Sequence, residues 1–434
     1  MEVEIEGDVE VLTPREFEVG DEREIFRRAL GSPIDSPRFE DFVSPDRSLL
    51  VIVNDHTRPT PTARVLEALR PTLSAHPDVR FLVATGAHRE PTEGEYRFIF
   101  GDLYDEFADR ITAHDARRDE DMAHLGTSSN GTEMYINRMV TEADDILAIS
   151  SVEPHYFAGY TGGRKSFLPG VASYRTIEMN HRLALSNRAR ALALDGNPVH
   201  EDMVDALREL GRMNVFSIQT VLTGDHRLFA VTAGDLHGSF YAAVSEAFKV
   251  FCAPLSRRGN IVITVAPHPM DVDLYQSQKA VENGRYALER DGVLILVSRC
   301  ADGIGGRTFF ELLSSEPTPQ GVLYRINKDY RLGWHKAAKM AQIGVWAQIW
   351  AVTDLPDETL EAIHIRPFHD LQEAVDAAVD HVRARGREPR TVILPAGSLT
   401  VPVLEGTEME GGWMRVTTDI GVDDLLAVLD ISLE

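Results

Sequence analysis

Three segments of the chain place acid–base and anion-binding side chains directly behind an apolar, β-branched run. NDHTRPTP sets Asp55, His56 and Arg58 behind SLLVIV, TGAHREPT sets His88 behind VRFLVA, and VEPHYFAGY sets His155 behind DDILAISS. Imidazole is the side chain best tuned for proton transfer near neutrality, and a guanidinium suits a carboxylate or phosphate. Each segment also has a plain structural account. Asp55, Thr57 and Pro59 suit a helix-initiating turn, and a lone histidine usually serves packing or surface. The turn leaves Arg58 unexplained. Two histidines at neighbouring strand ends can face one site, so His88 and His155 count for more as a pair than singly.

GYTGGRKSFLPG, Gly159 to Gly170, comes within one residue of a phosphate-binding P-loop. Where that pattern needs its second glycine stands Arg164, followed by Lys165 and Ser166. Backbone N–H groups must wrap the phosphates closely there, and the missing glycine obstructs this. The stretch is a damaged P-loop, an ordinary glycine-rich turn through Gly162 and Gly163, or a lysine presented for other chemistry. Downstream, RTIEMNHRLAL puts His181 on a helical segment. By residue physics alone it is a surface histidine; functionally it is a single imidazole metal ligand. No spacing matches a multi-histidine metal cage such as H-E-x-x-H, and His200 in GNPVHEDM reads as structural. In DLYQSQKA, Gln276 and Lys279 are three apart and share a helical face beside Tyr275. That face is either simply solvated or offers a second cation to a carboxylate. RLGWHKAAK offers Trp334 and His335 as an aromatic pocket wall.

The elements that must position these residues read as buried strands alternating with helical-period segments such as TARVLEALRPTLSAH and LQEAVDAAVDHVRARG. This predicts an α/β fold with mostly parallel sheets, whose ligands sit at the carboxyl ends of the strands. A second set of strands, NIVITVAPHP, DGVLILVSRC, VWAQIWAVTD and RTVILPAG, begins near residue 256. With 434 residues, two domains are expected: 1–255, carrying the catalytic and cofactor residues, and 256–434, adding substrate and cofactor contacts. The active-site cleft is expected between them. The final segment, DDLLAVLDISLE, reads as a helix that packs back on either domain.

The net charge of −24, without a basic run, argues against nucleic acid or an anionic membrane as partner. The acidic, alternating start MEVEIEGDVEVL is unlike a signal peptide, and no stretch approaches the length that spans a bilayer. Cys252 and Cys300 match no metal or redox spacing. A reducing, cytoplasmic setting is expected.

Taken together, DHTRPTP, GAHREPT, PHYFAGYTGGRKSFLPG, NHRLAL and DLYQSQKA, in this order, resemble the motifs of the nickel-dependent lactate racemase family. The resemblance is clear from Asp55 to Lys279, with Lys165 ten residues after His155 and His181 sixteen after that. It implies a nickel pincer nucleotide, a pyridinium mononucleotide whose ring carbon and two sulfur-bearing substituents hold the metal. It also implies reliance on cofactor-synthesis enzymes for maturation. Lys165 matches the lysine that tethers this cofactor through a thioamide in the founding enzymes, and His181 matches the histidine that completes the nickel's coordination. His88 and His155 match the acid/base pair, with Asp55 a supporting acid. Arg58, Gln276 and Lys279 match residues around the substrate carboxylate or cofactor phosphate, Gly162, Gly163 and Tyr275 are placed with the cofactor and Trp334 with the substrate. A metal held mainly by carbon and sulfur needs one protein ligand, which accounts for the isolated His181.

The resemblance further implies racemisation or epimerisation of a small α-hydroxy acid, lactate or a larger 2-hydroxy acid. One histidine removes the hydroxyl proton while the α-hydrogen passes as hydride to the cofactor, and the planar α-keto acid receives it back on either face. Two readings compete with this. One keeps the cofactor and makes the enzyme a 2-epimerase of an aldonic acid. The other is a P-loop-like nucleotide-binding enzyme, against which the residue at 164 speaks.

Overall fold

The computed structural model describes residues 3–208 and 213–416; the closing segment expected to be helical, 423–434, lies outside them. The chain divides into two compact units, one of Glu16–Val250 with Met409–Val416, the other of residues 3–15 with Phe251–Glu408. Both are α/β, and their large sheets are mostly parallel, as expected from the alternation of apolar runs and helical segments.

In the first unit six strands lie in the order Leu228–Gly234, Asn214–Leu222, Asp145–Ser151, Leu49–Asn54, Val79–Ala84, Ile111–Ala113. All neighbours are parallel except the Asn214–Leu222/Leu228–Gly234 hairpin. The chain steps outward from Leu49–Asn54 to Val79–Ala84, then returns to pair Asp145–Ser151 on the other side of Leu49–Asn54. That reversal of winding is the switch point where open parallel sheets leave a crevice at their carboxyl ends. Leu49, Val51 and Val53 point one way with Phe81, Val83, Leu147, Ile149, Phe216 and Ile218, into a core closed by Val65, Leu66, Leu69 and Leu73. These last four come from the helix Thr62–Ala75, and their spacing of three and four residues puts them on one face.

The second unit orders its six strands Asp8–Val11, Arg390–Leu394, Gly259–Val265, Leu288–Val297, Gln348–Val352, Ile365–Phe368, every pair parallel. Leu371, Ala374, Val375, Ala378, Val379 and Val382 of the helix Leu371–Arg383 cover Ile261, Ile263, Val293, Ile295 and Trp350.

Two details depart from the sequence-based expectations. Residues 3–15 lie with the second unit, because Asp8–Val11 pairs in register with Arg390–Ile393; the buried Arg390 guanidinium joins Asp8 and Glu10 in ion pairs. The segment VWAQIWAVTD also begins too early as a strand, since Val345 and Trp346 close the helix His335–Trp346 and the strand starts at Gln348. Among the described residues no helix is long and apolar enough to cross a membrane.

Candidate active site

The three strands flanking the switch point end at Asn54, Ala84 and Ser151, and the residues that follow each one converge. Asp55 is buried. Its Oδ1 accepts from the Thr57 hydroxyl at 2.7 Å, and its Oδ2 lies 2.7 Å from His88 Nδ1. Because a carboxylate only accepts, Nδ1 of His88 carries the proton and Nε2 is the basic nitrogen. Burial works against ionisation of Asp55, but the hydrogen bonds from His88 and Thr57 and the electrostatic attraction of His88 and Arg58 outweigh it and lower its pKa. The His88 side chain remains half exposed.

His155 is held the other way round. It sits on a two-residue ribbon, Pro154–His155 against Gly159–Tyr160, and the main-chain N–H of Ala158 donates to its Nδ1 at 3.3 Å. In the neutral ring the proton therefore lies on Nε2, which faces Lys165 Nζ at 3.4 Å. Burial first, then the charges of Lys165, Arg58, His181 and Arg164, push the His155 pKa well below the usual histidine range. Burial, Arg58 and Arg164 likewise drive the Lys165 ammonium toward its neutral amine. The two strand-end histidines are thus fixed in opposite tautomers, His88 with a bare Nε2 and His155 with Nε2–H.

The loop resembling a P-loop is not built as one. Gly162 and Gly163 have positive φ, and a Cβ at either would run into Val152 and Gln219 or into the Phe240 ring. Glycine is required there by close packing against the protein interior. The Gly163 amide donates to Gln219 Oε1 and the Lys165 amide to the Gly162 carbonyl, so these N–H groups are engaged within the protein. Only a four-residue 3-10 turn, Gly163–Ser166, follows. Arg164 occupies the place of the absent Walker glycine as an internal brace. It is buried, donates to the carbonyl oxygens of Gly162, Ala158 and Tyr160, and lies over the Phe240 ring at 4.5 Å. Burial lowers its pKa to about 9, so it stays charged at neutral pH.

His181 lies near the end of the helix Tyr174–Arg182, capped by the Ser173 hydroxyl, and is buried. Its Nδ1 is 3.2 Å from Asn180 Oδ1. The Phe157 ring ties these groups together, edge-on to His155 at 4.5 Å and to His181 at 5.0 Å, with Lys165 Nζ 5.4 Å from its centroid. Asp55, Arg58, His88, His155, Lys165 and His181 are therefore one electrostatically connected group. Among the described residues, Arg58, Arg164 and Lys165 have no carboxylate ion-pair partner. The same residues contain no group of three histidine, cysteine or acidic side chains that could hold a metal on their own.

The remaining expected residues belong to the second unit. Asp273 caps the helix Leu274–Gly284 by accepting from the Gln276 amide, and Gln276 and Lys279 are half-buried on it. Lys336 Nζ lies 3.4 Å from the Tyr275 ring centroid and donates to the Tyr275 carbonyl. Trp334 precedes the helix His335–Trp346, with the Arg331 guanidinium 5.9 Å from its ring. Phe157, the Asn180 contact and the Lys336–Tyr275 contact were not anticipated. Phe157 stands inside PHYFAGY, two residues from His155, in the turn that joins the two strands of the ribbon.

The first 192 residues match the family description "Lactate racemase N-terminal domain", and residues 256–402 match "Lactate racemase C-terminal domain". A lactate racemase of Thermoanaerobacterium thermosaccharolyticum is 34% identical over 373 residues, covering 82% of this chain and 85% of that protein. One from Lactiplantibacillus plantarum is 31% identical, covering 87% and 90%. The solved structure of the lactate racemase apoprotein from T. thermosaccharolyticum superposes with a TM-score of 0.82 at 30% identity over 91% of this chain and 94% of that one. A Thermotoga maritima protein at 16% identity and TM-score 0.64, covering 90% of this chain and all of the other, shares the fold. The chain belongs to the lactate racemase family and is an isomerase.

Proposed function

We propose that this enzyme racemises α-hydroxy acids, lactate first and larger 2-hydroxy acids after it, with a nickel pincer nucleotide. The observation that carries the proposal is the opposed pair of histidines beside cations without carboxylate partners. A base and a hydrogen-bond donor are both preset in a group that also holds Arg58, Arg164 and Lys165, and this arrangement suits an anionic ligand whose hydroxyl must lose and regain a proton.

The donor set fits the cofactor. One buried imidazole, outside any group of three ligating side chains among the described residues, suits a metal that arrives with its own carbon and sulfur donors. Lys165, pressed toward its neutral amine, suits attachment to a thiocarboxyl group, since the neutral amine is the nucleophile. His181 would ligate the metal. When bound, the cofactor supplies a carbon centre that accepts and returns the substrate's α-hydrogen as hydride.

The chain's own residues do the rest. Arg58 holds the substrate carboxylate through charge-assisted hydrogen bonds. His88 Nε2 takes the hydroxyl proton, and Asp55 keeps its ring oriented and stabilises the imidazolium that forms. His155 serves the opposite face, donating from Nε2–H to the carbonyl oxygen of the planar keto acid. For Tyr275 a cofactor-contacting role, and for Gln276, Lys279 and Trp334 a substrate-contacting role, are proposals carried by the DLYQSQKA and RLGWHKAAK motifs. Maturation by cofactor-synthesis enzymes follows from the cofactor itself.

The test is racemisation of a single lactate enantiomer in deuterated water by holoenzyme. The expected product is the opposite enantiomer with its α-hydrogen retained. Solvent deuterium appearing at the α-carbon at the rate of racemisation would instead establish proton abstraction and refute the hydride route.

A further inference from the structure

His181 is not merely buried beside Asn180; the direction of its hydrogen bond is dictated from a distance. Both amide hydrogens of Asn180 are committed. Nδ2 donates to Asp202 Oδ2 at 2.8 Å and to the main-chain carbonyl of Val199 at 3.2 Å. A carbonyl can only accept, and Asp202 is itself fully buried, accepting also from the Ser128 and Thr132 hydroxyls. Turning the Asn180 amide over would set its oxygen against two acceptors at once, leaving buried groups unsatisfied at a cost of about 1–3 kcal/mol each. Asn180 Oδ1 is therefore fixed as an acceptor, 3.2 Å from His181 Nδ1. That nitrogen must carry the proton, and in the neutral ring the lone pair then lies on Nε2.

We infer that Asp202 and Asn180 form a tautomer lock for His181, a relay of positioning residues that presents Nε2 as the metal-ligating nitrogen before any metal arrives. The inference rests on the proposed ligand role of His181 and names the residues that prepare it. It explains why the buried Asp202 carboxylate is held by three donors, Asn180, Ser128 and Thr132. Such outer-shell partners fix ring orientation and raise the basicity of the ligating nitrogen, and their loss weakens metal binding about 10- to 100-fold. The lock also separates His181 from His155, whose Nδ1 accepts a main-chain N–H and whose proton therefore lies on the other nitrogen.

The test uses the full chain with nitrogen-15 in its histidines. Long-range proton–nitrogen spectra of the apoprotein, with His181→Gln for assignment, report which ring nitrogen carries hydrogen. The lock predicts Nδ1–H in the wild-type protein. Asn180→Leu, close in shape, should release the ring to a mixture or to Nε2–H, and nickel retained by the matured protein against a chelator should weaken about 10- to 100-fold. Asp202→Asn, a near-isosteric change at the far end of the relay, removes one of the two acceptors that fix the Asn180 amide. It should shift part of the ring population toward Nε2–H even if Asn180→Leu folds poorly. An Nε2–H signal in the wild-type protein, or an unchanged tautomer in Asn180→Leu, would overturn the lock. If no form of the protein holds nickel, the nickel proposal fails, and the tautomer spectra still decide the lock.

Discussion

The cations around His155 in the first unit and the buried carboxylate of Glu282 in the second are treated in opposite ways. In the first, Arg164 is braced by carbonyl oxygens, Lys165 faces a histidine, and Arg58 stands at a strand end, none with a carboxylate partner among the described residues. In the second, Glu282, with no exposed surface, takes Arg285 at 3.1 Å, and the charge of Lys339 further opposes the upward push that burial exerts on its pKa. A buried ion whose partner is part of the fold is structural. Buried cations that lack one make their surroundings strained toward neutrality and receptive to an incoming anion. The same physical cost, desolvation, thus marks a framework in one unit and a candidate site in the other.

Substitutions can break or sharpen this contrast. The largest effect should fall on activity. His88→Asn or His155→Asn should each lower kcat about 10²- to 10⁴-fold, read by chiral analysis of product from each enantiomer. Next, Glu282→Gln should strand the Arg285 charge and destabilise the protein by about 3–5 kcal/mol, read from its unfolding transition, whereas the same measurement on Lys165→Met should show no loss. Arg58→Lys keeps the charge but not the fork, and should raise KM about 10- to 100-fold, the loss of charge-assisted hydrogen bonds worth about 1.5–3 kcal/mol.

The smallest effect is the most diagnostic. The folded-state pKa of Lys165 is lowered, so below the ordinary lysine value of about 10.4 the unfolded chain binds more protons than the fold. Stability of the apoprotein therefore rises as pH climbs from neutral toward that value. Lys165→Met should remove that slope and add on the order of 1 kcal/mol at neutral pH. His155, lowered in the same direction, adds a separate loss of stability as pH falls below about 6.5. His155→Gln should reduce it, leaving the share of the buried His114 and His200, whose pKa values burial also lowers. Urea unfolding across the pH range checks both, and a Lys165→Met protein less stable than wild type would mean that the lysine is compensated after all.

Much of this was legible in the sequence because parallel strands buried on both faces read as unbroken apolar runs, and the residues just after them must lie at the sheet's carboxyl edge. Asp55, His88 and His155 could be placed together on that ground alone. Other features lacked a local signal. The pairing of Asp8–Val11 with Arg390–Leu394 joins segments nearly a whole chain apart, and nothing in either names the other. The difference between Trp346 in a helix and Gln348 in a strand is decided by packing. Arg164 looked like a defect in a phosphate loop because a sequence does not show which carbonyl oxygens lie within reach of a guanidinium. Asn180 stood beside His181 in NHRLAL, but its role depends on Asp202 and Val199 from the following helix.

The most direct test of the central claim is the nickel content per chain of protein co-produced with the cofactor-synthesis enzymes, measured beside a His181→Ala control. The account predicts close to one nickel per chain, lost in the control, with His88→Asn retaining it. A correctly folded protein without nickel, under conditions that load a known racemase, would contradict it.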